Sequence, residues 1–126
     1  MRDWALTLAF IDVESAFRRD AFLDDRNGGS IGLGQIDLAT AQWAGFKGAA
    51  QELYVPRANI TSLCAVLDKL TDELMAHGKY STENLGAAYN AGLGHVLGGG
   101  TDAPYVAKIV EAYGFYQNLN RTANGQ

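Results

Sequence analysis

The residues best suited to chemistry fall in four short segments: Glu14-Ser15, Gly32-Leu33-Gly34-Gln35, Ala88-Tyr89-Asn90-Ala91-Gly92, and Tyr105. Glu14 closes a run of mostly apolar residues, and a carboxyl desolvated in such a setting stays protonated toward neutral pH. A carboxyl of that kind can deliver a proton to a poor leaving oxygen, which is what breaking a glycosidic bond requires. Gln35 offers an amide to sugar hydroxyls or to an N-acetyl group, and the glycines before it let the backbone approach a ligand closely. Tyr89 and Asn90 pair an aromatic platform with an amide, a combination suited to sugars. Each residue also has a plainer reading. Glu14 can be the buried ion-pair partner of Arg18 or Arg19, and Gln35 a cap for the helix after it. Tyr89 and Tyr105 can be core rings, and Asn90 a helix C-cap.

Other chemistries find less support. A serine nucleophile needs a histidine base, and the two histidines, His77 and His95, stand in contexts that read as surface; Ser15 is therefore read as structural. No His/Cys/carboxylate cluster has the spacing of metal ligands, so no metal and no cofactor are expected. Cys64 is the one cysteine and lies in the apolar run Leu63-Cys64-Ala65-Val66-Leu67. It reads as a buried thiol acting as a small hydrophobe. The formal net charge of −4 argues against a nucleic-acid partner, whose footprint is a basic patch. A neutral or polar ligand such as a sugar chain suits that balance better.

The elements that must position these residues are helical nearly throughout. Between Asp3 and Arg19 two overlapping apolar stripes, Trp4, Leu8, Ile11 and Leu6, Phe10, Val13, Phe17, predict a central helix apolar on most of its circumference, which Glu14-Ser15 ends. A polar, glycine-containing loop follows from Asp20 to Gly34. Asp37 reads as the N-cap of a short helix that Gly45 ends. Asn59 is expected to cap a long helix in which Ile60, Leu63, Leu67, Leu70 and Leu74 alternate spacings of three and four, with Gly78 as its stop. A helix over Thr82–Ala91, a flexible loop over Gly92–Gly100 and a last helix opened by Asp102 and Pro104 complete the pattern. Tyr105, Ile109, Ala112 and Tyr116 share one face of that last helix. The tail from Asn120 to Gln126 is expected to fray. No trustworthy strand alternation, repeat or linker occurs. The prediction is a mostly α single domain over residues 1–126. At 126 residues with 48% hydrophobic content it buries roughly two-thirds of its unfolded surface without a disulfide or metal staple.

The four segments in this order resemble the lytic transglycosylase domain of the soluble transglycosylase type and its relative, goose-type lysozyme. In that family a Glu-Ser pair, a Gly-Leu-Met-Gln segment, an Ala-Tyr-Asn segment and a later tyrosine line a sugar cleft. The resemblance runs from about Trp4 to Tyr116 and includes Pro56, Asn59 and Ile60. It implies that the fold is lysozyme-like, that Glu14 is the catalytic acid and base, that Gln35, Tyr89, Asn90 and Tyr105 bind substrate, and that Tyr105 sits against the acid. The family's methionine is Gly34 here, so a hydrophobic wall of one subsite is missing or comes from another residue.

The resemblance further implies cleavage of the β-1,4 bond between N-acetylmuramic acid and N-acetylglucosamine in peptidoglycan strands, by lytic transglycosylation. Hydrolysis in the goose-type manner needs a second carboxylate about 6.5–9.5 Å from the first to activate water. Asp25 and Asp37, which flank the Gly32–Gln35 segment, are the candidates; for Asp37 an N-cap role is the alternative. A chitin-cleaving enzyme of the same fold, and a non-catalytic glycan-binding domain, are the other readings. A monomer is expected. With an acidic residue at Asp3, Asp12 in the first apolar stretch and no run long enough to span a membrane, no signal peptide is read. The expected setting is a phage-type endolysin or an excised catalytic domain, made in the cytoplasm and reaching the wall by another export or lysis route.

Overall fold

The computed structural model describes residues 3–25 and 27–123. Arg26 of the expected loop and residues 124–126 of the expected tail lie outside the described residues. Among the described residues there are six α-helices and a short hairpin: α1 (Trp4–Ser15), β1 (Phe22–Leu23), β2 (Ser30–Ile31), α2 (Leu38–Trp43), α3 (Pro56–Ala76), α4 (Thr82–Ala91), α5 (Leu93–Leu97) and α6 (Ala103–Ala123). A 3-10 turn over Ala50–Tyr54 precedes α3. Contacts divide the chain into two compact units. A terminal unit comprises Met1–Phe10 with Lys69–Gln126, and a mid-chain unit comprises Ile11–Asp68. The divisions fall inside α1 and inside α3.

The terminal unit is helical. Ala9 and Phe10 of α1 are fully buried, as are Leu74 of α3 and Ile109 of α6. Helix α4 buries Leu85 to Ala88 in succession, and its Gly86 faces Val106 and Ile109 of α6. Ser81 caps α4 by accepting from the Asn84 amide at 2.9 Å, and Gly92, at φ +102°, ends it. That left-handed exit is a glycine's role at a helix end. The Gly92–Gly100 stretch is not the open loop its five glycines predict. It contains α5, where burial of Val96 holds a turn of helix that glycine propensity alone would not. Helix α6 also runs farther than expected, to Ala123, its last turns secured by Thr122 Oγ1 donating to the Asn118 carbonyl.

The mid-chain unit adds a short hairpin to the mostly α pattern. Phe22 pairs with Ile31 and Leu23 with Ser30 in an antiparallel hairpin, and Ile31 makes a further bridge to Ile36. Two residues per strand are too few to leave an alternation in the sequence. Helix α2 begins at the expected cap, with Asp37 accepting from the Thr40 amide at 2.8 Å. Helix α3 begins at Pro56, three residues before the expected cap. Proline suits a first helical position because its missing N–H would have no intrahelical partner there. Leu63, Leu67, Leu70 and Leu74 of the predicted stripe are buried.

Helix α1 ends at Ser15, where the Glu14-Ser15 segment is expected to end it, but its stripe is only partly covered: Leu6, Ala9, Phe10 and Ile11 are buried, while Trp4 is 58% exposed.

Candidate active site

Glu14 sits in the last turn of α1, half-buried, with Ser15 behind it. Ser15 is buried and donates its hydroxyl to the Ile11 carbonyl at 3.1 Å, a helix back-bond that leaves it a structural residue. The chain then turns abruptly. Ala16 and Phe17 have φ of +52° and +64°, a region that costs a residue with a Cβ about 1–2 kcal/mol. This is why the helix ends directly after Glu14, although the apolar pattern continues to Phe17. Two successive turns follow, with the Arg18 amide donating to the Ser15 carbonyl and the Ala21 amide to that of Arg18. The Ala21 carbonyl then accepts from the Gly32 amide at 2.8 Å and from Gln35 Nε2 at 3.1 Å. A short chain of hydrogen bonds thus ties the Gly32–Gln35 segment to the turn that leaves Glu14.

Gln35 is half-buried at φ +50°. Its Nε2 also donates to the Gly32 carbonyl at 3.0 Å, so the amide nitrogen closes its own loop. The carbonyl oxygen is the atom of that amide not used in these bonds. Gly32, at φ +71°, could not carry a side chain: a Cβ there would lie 2.5 Å from Asn59 Nδ2 and 2.7 Å from the Leu53 carbonyl. Gly34 is buried, and a Cβ there would meet Asn59 Oδ1 at 3.1 Å and the Ile36 side chain at 3.2 Å. Ile36 therefore occupies the volume in which a longer residue at position 34 would begin.

Asn59 holds this segment. Far from being an exposed helix cap, it is fully buried one turn inside α3. Its Oδ1 accepts from the Gly34 amide at 2.8 Å, and its Nδ2 donates to the Ile31 and Leu53 carbonyls at 2.8 and 2.7 Å. Three buried bonds from one side chain fix the loop against both the hairpin and the 3-10 turn. Pro56 carried the signal that reading for caps missed, since a helix opening at a proline places Asn59 inside it.

The two candidate second carboxylates are engaged locally. Asp37 is buried, and besides capping α2 it accepts from Thr40 Oγ1 at 3.0 Å. Asp25 is exposed, and both its oxygens accept from Ser30 Oγ, at 2.8 and 3.0 Å.

The remaining candidates lie in the terminal unit. Tyr89, half-buried near the end of α4, packs against Phe10 with ring centroids 5.0 Å apart and planes at 59°. Asn90 is exposed and donates from Nδ2 to Asp102 Oδ2 at 2.7 Å. Asp102 in turn opens α6 by accepting the Val106 amide, which places the half-buried Tyr105 in that helix's first turn. Asn90 is thus a link between α4 and the start of α6, and the C-cap position belongs to Gly92. In the same unit Tyr113 donates its hydroxyl to Asp3, and chiefly for that reason its pKa rises from 10.0 to about 12. Cys64 is buried in α3 and both histidines are exposed, as the sequence predicts.

Among the described residues, the four non-glycine positions with positive φ are Ala16, Phe17, Asn27 and Gln35. They cluster between Glu14 and Asp37, and strain concentrated in one segment is a feature of functional sites. Nothing in the sequence announces Ala16 and Phe17, since neither is a residue that tolerates this region well.

Comparison with known proteins follows the same segments. Residues 1–109 match the family described as the transglycosylase SLT domain. Among solved structures, the chain is similar to the lytic transglycosylase Slt of Pseudomonas aeruginosa, determined by X-ray as an inactive glutamate-to-glutamine mutant. The two superpose with a TM-score of 0.74 at 25% identity, over 92% of this chain and 22% of that one. The chain therefore spans about a fifth of that relative's length. A search of curated protein sequences gave no match.

Proposed function

Because the chain belongs to the transglycosylase SLT domain family, we propose that it is a lytic transglycosylase that cleaves peptidoglycan. The bond is the β-1,4 linkage between N-acetylmuramic acid and N-acetylglucosamine. The observation that carries this reading is the placement of Glu14. It is a half-buried carboxyl in the last turn of α1, and Ala16 and Phe17 at positive φ lead on from that turn to Ala21, whose carbonyl accepts from Gly32 and Gln35.

Glu14 acts twice. Its carboxyl gives its proton to the glycosidic oxygen, and the bond from C1 of muramic acid to that oxygen breaks. The carboxylate so formed takes the proton of the muramic C6 hydroxyl as O6 attacks C1, which closes a 1,6-anhydro ring. The glutamate ends protonated, no water is consumed, and one carboxylate suffices. The local engagement of Asp25 and Asp37 favours this course over one in which a second carboxylate activates water. The Gln35 carbonyl oxygen and the ring of Tyr89 are assigned to sugar contact, and Asn90 and Tyr105 to substrate binding. The chain works as one catalytic domain and as a monomer. Among the described residues no helix is long and apolar enough to cross a membrane.

The test is release of soluble fragments from purified peptidoglycan by wild type and Glu14→Gln. Loss of a general acid lowers turnover by about 10²–10⁴-fold, while sedimentation with the insoluble polymer persists. Undiminished release by Glu14→Gln would remove Glu14 from the chemistry. Polymer binding without release by wild type would make the chain a glycan-binding domain.

A further inference from the structure

The mid-chain unit carries a hollow that the proposed chemistry does not use. It has a volume of about 450 Å³ and lies between the residues after α2 and the first turns of α3. That volume is within the range of about 300–1,000 Å³ usual for small-ligand sites. Phe46, Ala58 and Ala65 give it an apolar floor beside the exposed Val55, Thr61 adds an exposed hydroxyl next to the buried Ser62, and Lys47 and Arg57 stand at it as exposed cations. None of its lining residues is acidic, in a chain whose 14 carboxylates outnumber its 10 lysines and arginines. The positive character is therefore local to this hollow. On α3, at about 100° per residue, Asn59 points roughly 100° away from the Ala58, Ser62, Ala65 face. The hollow thus opens on a different side of the helix from the Gly32–Gln35 loop that Asn59 holds.

Three features of the hollow constrain its occupant. Paired cations call for carboxylates. A floor of alanine and phenylalanine beside a valine calls for small aliphatic groups rather than sugar rings, which prefer an open aromatic face flanked by amides. The hydroxyls serve a peptide backbone. We propose that this hollow is an accessory site for a short, alanine-rich peptide with free carboxylates, the chemistry of the peptide stems that peptidoglycan strands carry on their muramic acid residues. The identification with those stems rests on the proposed function. The preference for a carboxylate-bearing small-residue peptide rests on the lining alone. Held there, a stem anchors the strand through a contact separate from the sugar-binding residues.

The experiment is a titration of the whole chain, followed by amide NMR, with the free pentapeptide alanine–γ-glutamate–lysine–alanine–alanine. The same titration uses that peptide with its carboxylates converted to amides, and sodium acetate. The expected result is shift changes confined to residues 44–47 and 55–65. Binding should weaken on the order of tenfold for the amidated peptide and for K47E/R57E. The amidated-peptide arm needs no variant, so a folding defect in K47E/R57E cannot decide the matter. Shift changes at Glu14 or Gln35 instead, equal binding of the amidated peptide, or full competition by acetate at matched concentration would each overturn the proposal. Because Glu14→Gln should bind the pentapeptide as wild type does, the outcome is separable from turnover. Peptidoglycan cleavage without peptide binding defeats this site alone, and peptide binding without cleavage defeats the catalytic reading alone.

Discussion

Two asparagines, Asn59 and Asn90, show how differently the two units hold their own candidate residues. Asn59 is fully buried and makes three hydrogen bonds, each to backbone far along the chain or across a turn. Asn90 is exposed and donates to the side chain of Asp102. Around Asn59 the candidate residues sit on irregular backbone, with Gln35 and the residues after Glu14 at positive φ. Around Asn90 they sit on regular helices, α4 and α6, with ordinary caps. The lesson is that the acid-bearing unit holds its geometry by buried polar bonds that cannot be exchanged one at a time, whereas the helical unit presents its residues on scaffolding that tolerates change.

The largest effect that tests this contrast is Asn59→Ala, which removes three buried bonds and should cost about 3 kcal/mol in denaturant unfolding. A loss no greater than that of a surface substitution would erase the distinction between the units. Gly32→Ala comes next, at about 2 kcal/mol or more, since it adds a Cβ in left-handed backbone against Asn59 and Leu53. An alanine accommodated without cost would show that the loop is looser than its bonds imply. Asp37→Ala should cost about 1 kcal/mol through loss of the α2 cap, with turnover largely retained. Collapse of turnover in a folded Asp37→Ala protein would instead return Asp37 to the chemistry.

Smallest is Asn90→Ala, expected to change stability by less than about 0.5 kcal/mol while weakening substrate binding. Its measurement pairs chemical unfolding with KM on soluble glycan strands. The terminal unit also has a signature of its own in alkali. Tyr113 has a folded pKa above its unfolded value of 10.0, so its contribution to stability is complete below pH 10 and is lost as pH rises toward about 12. Phenolate absorbance should show one tyrosine titrating late in wild type and near the ordinary value in Asp3→Ala.

The helices were legible where an apolar period and a cap coincide. Asp37, Gly78 and the Thr82–Ala91 span fall where the sequence puts them, and so does the buried leucine stripe of α3. Three features escaped for physical reasons. The hairpin has strands of two residues, below the length at which alternation exists. The positive φ of Ala16 and Phe17 beyond the helix end is backbone their side chains disfavour, which tertiary structure imposes and composition does not record. Asn59 has the residue type of a cap, and only the proline before it shows that the helix has already begun. The chemistry-bearing segments were readable as an ordered set, but the work Gln35 and Asn59 do for the loop is visible only in their hydrogen bonds.

The most direct test of the central claim is the mass of the products that wild type releases from purified peptidoglycan, with Glu14→Gln as the control. One-glutamate chemistry predicts disaccharide products ending in 1,6-anhydro-muramic acid, lighter than hydrolytic products by the mass of one water and absent with Glu14→Gln. Products of full hydrolytic mass with reducing ends would contradict it and place an activated water, with Asp25 or Asp37 behind it, in the reaction.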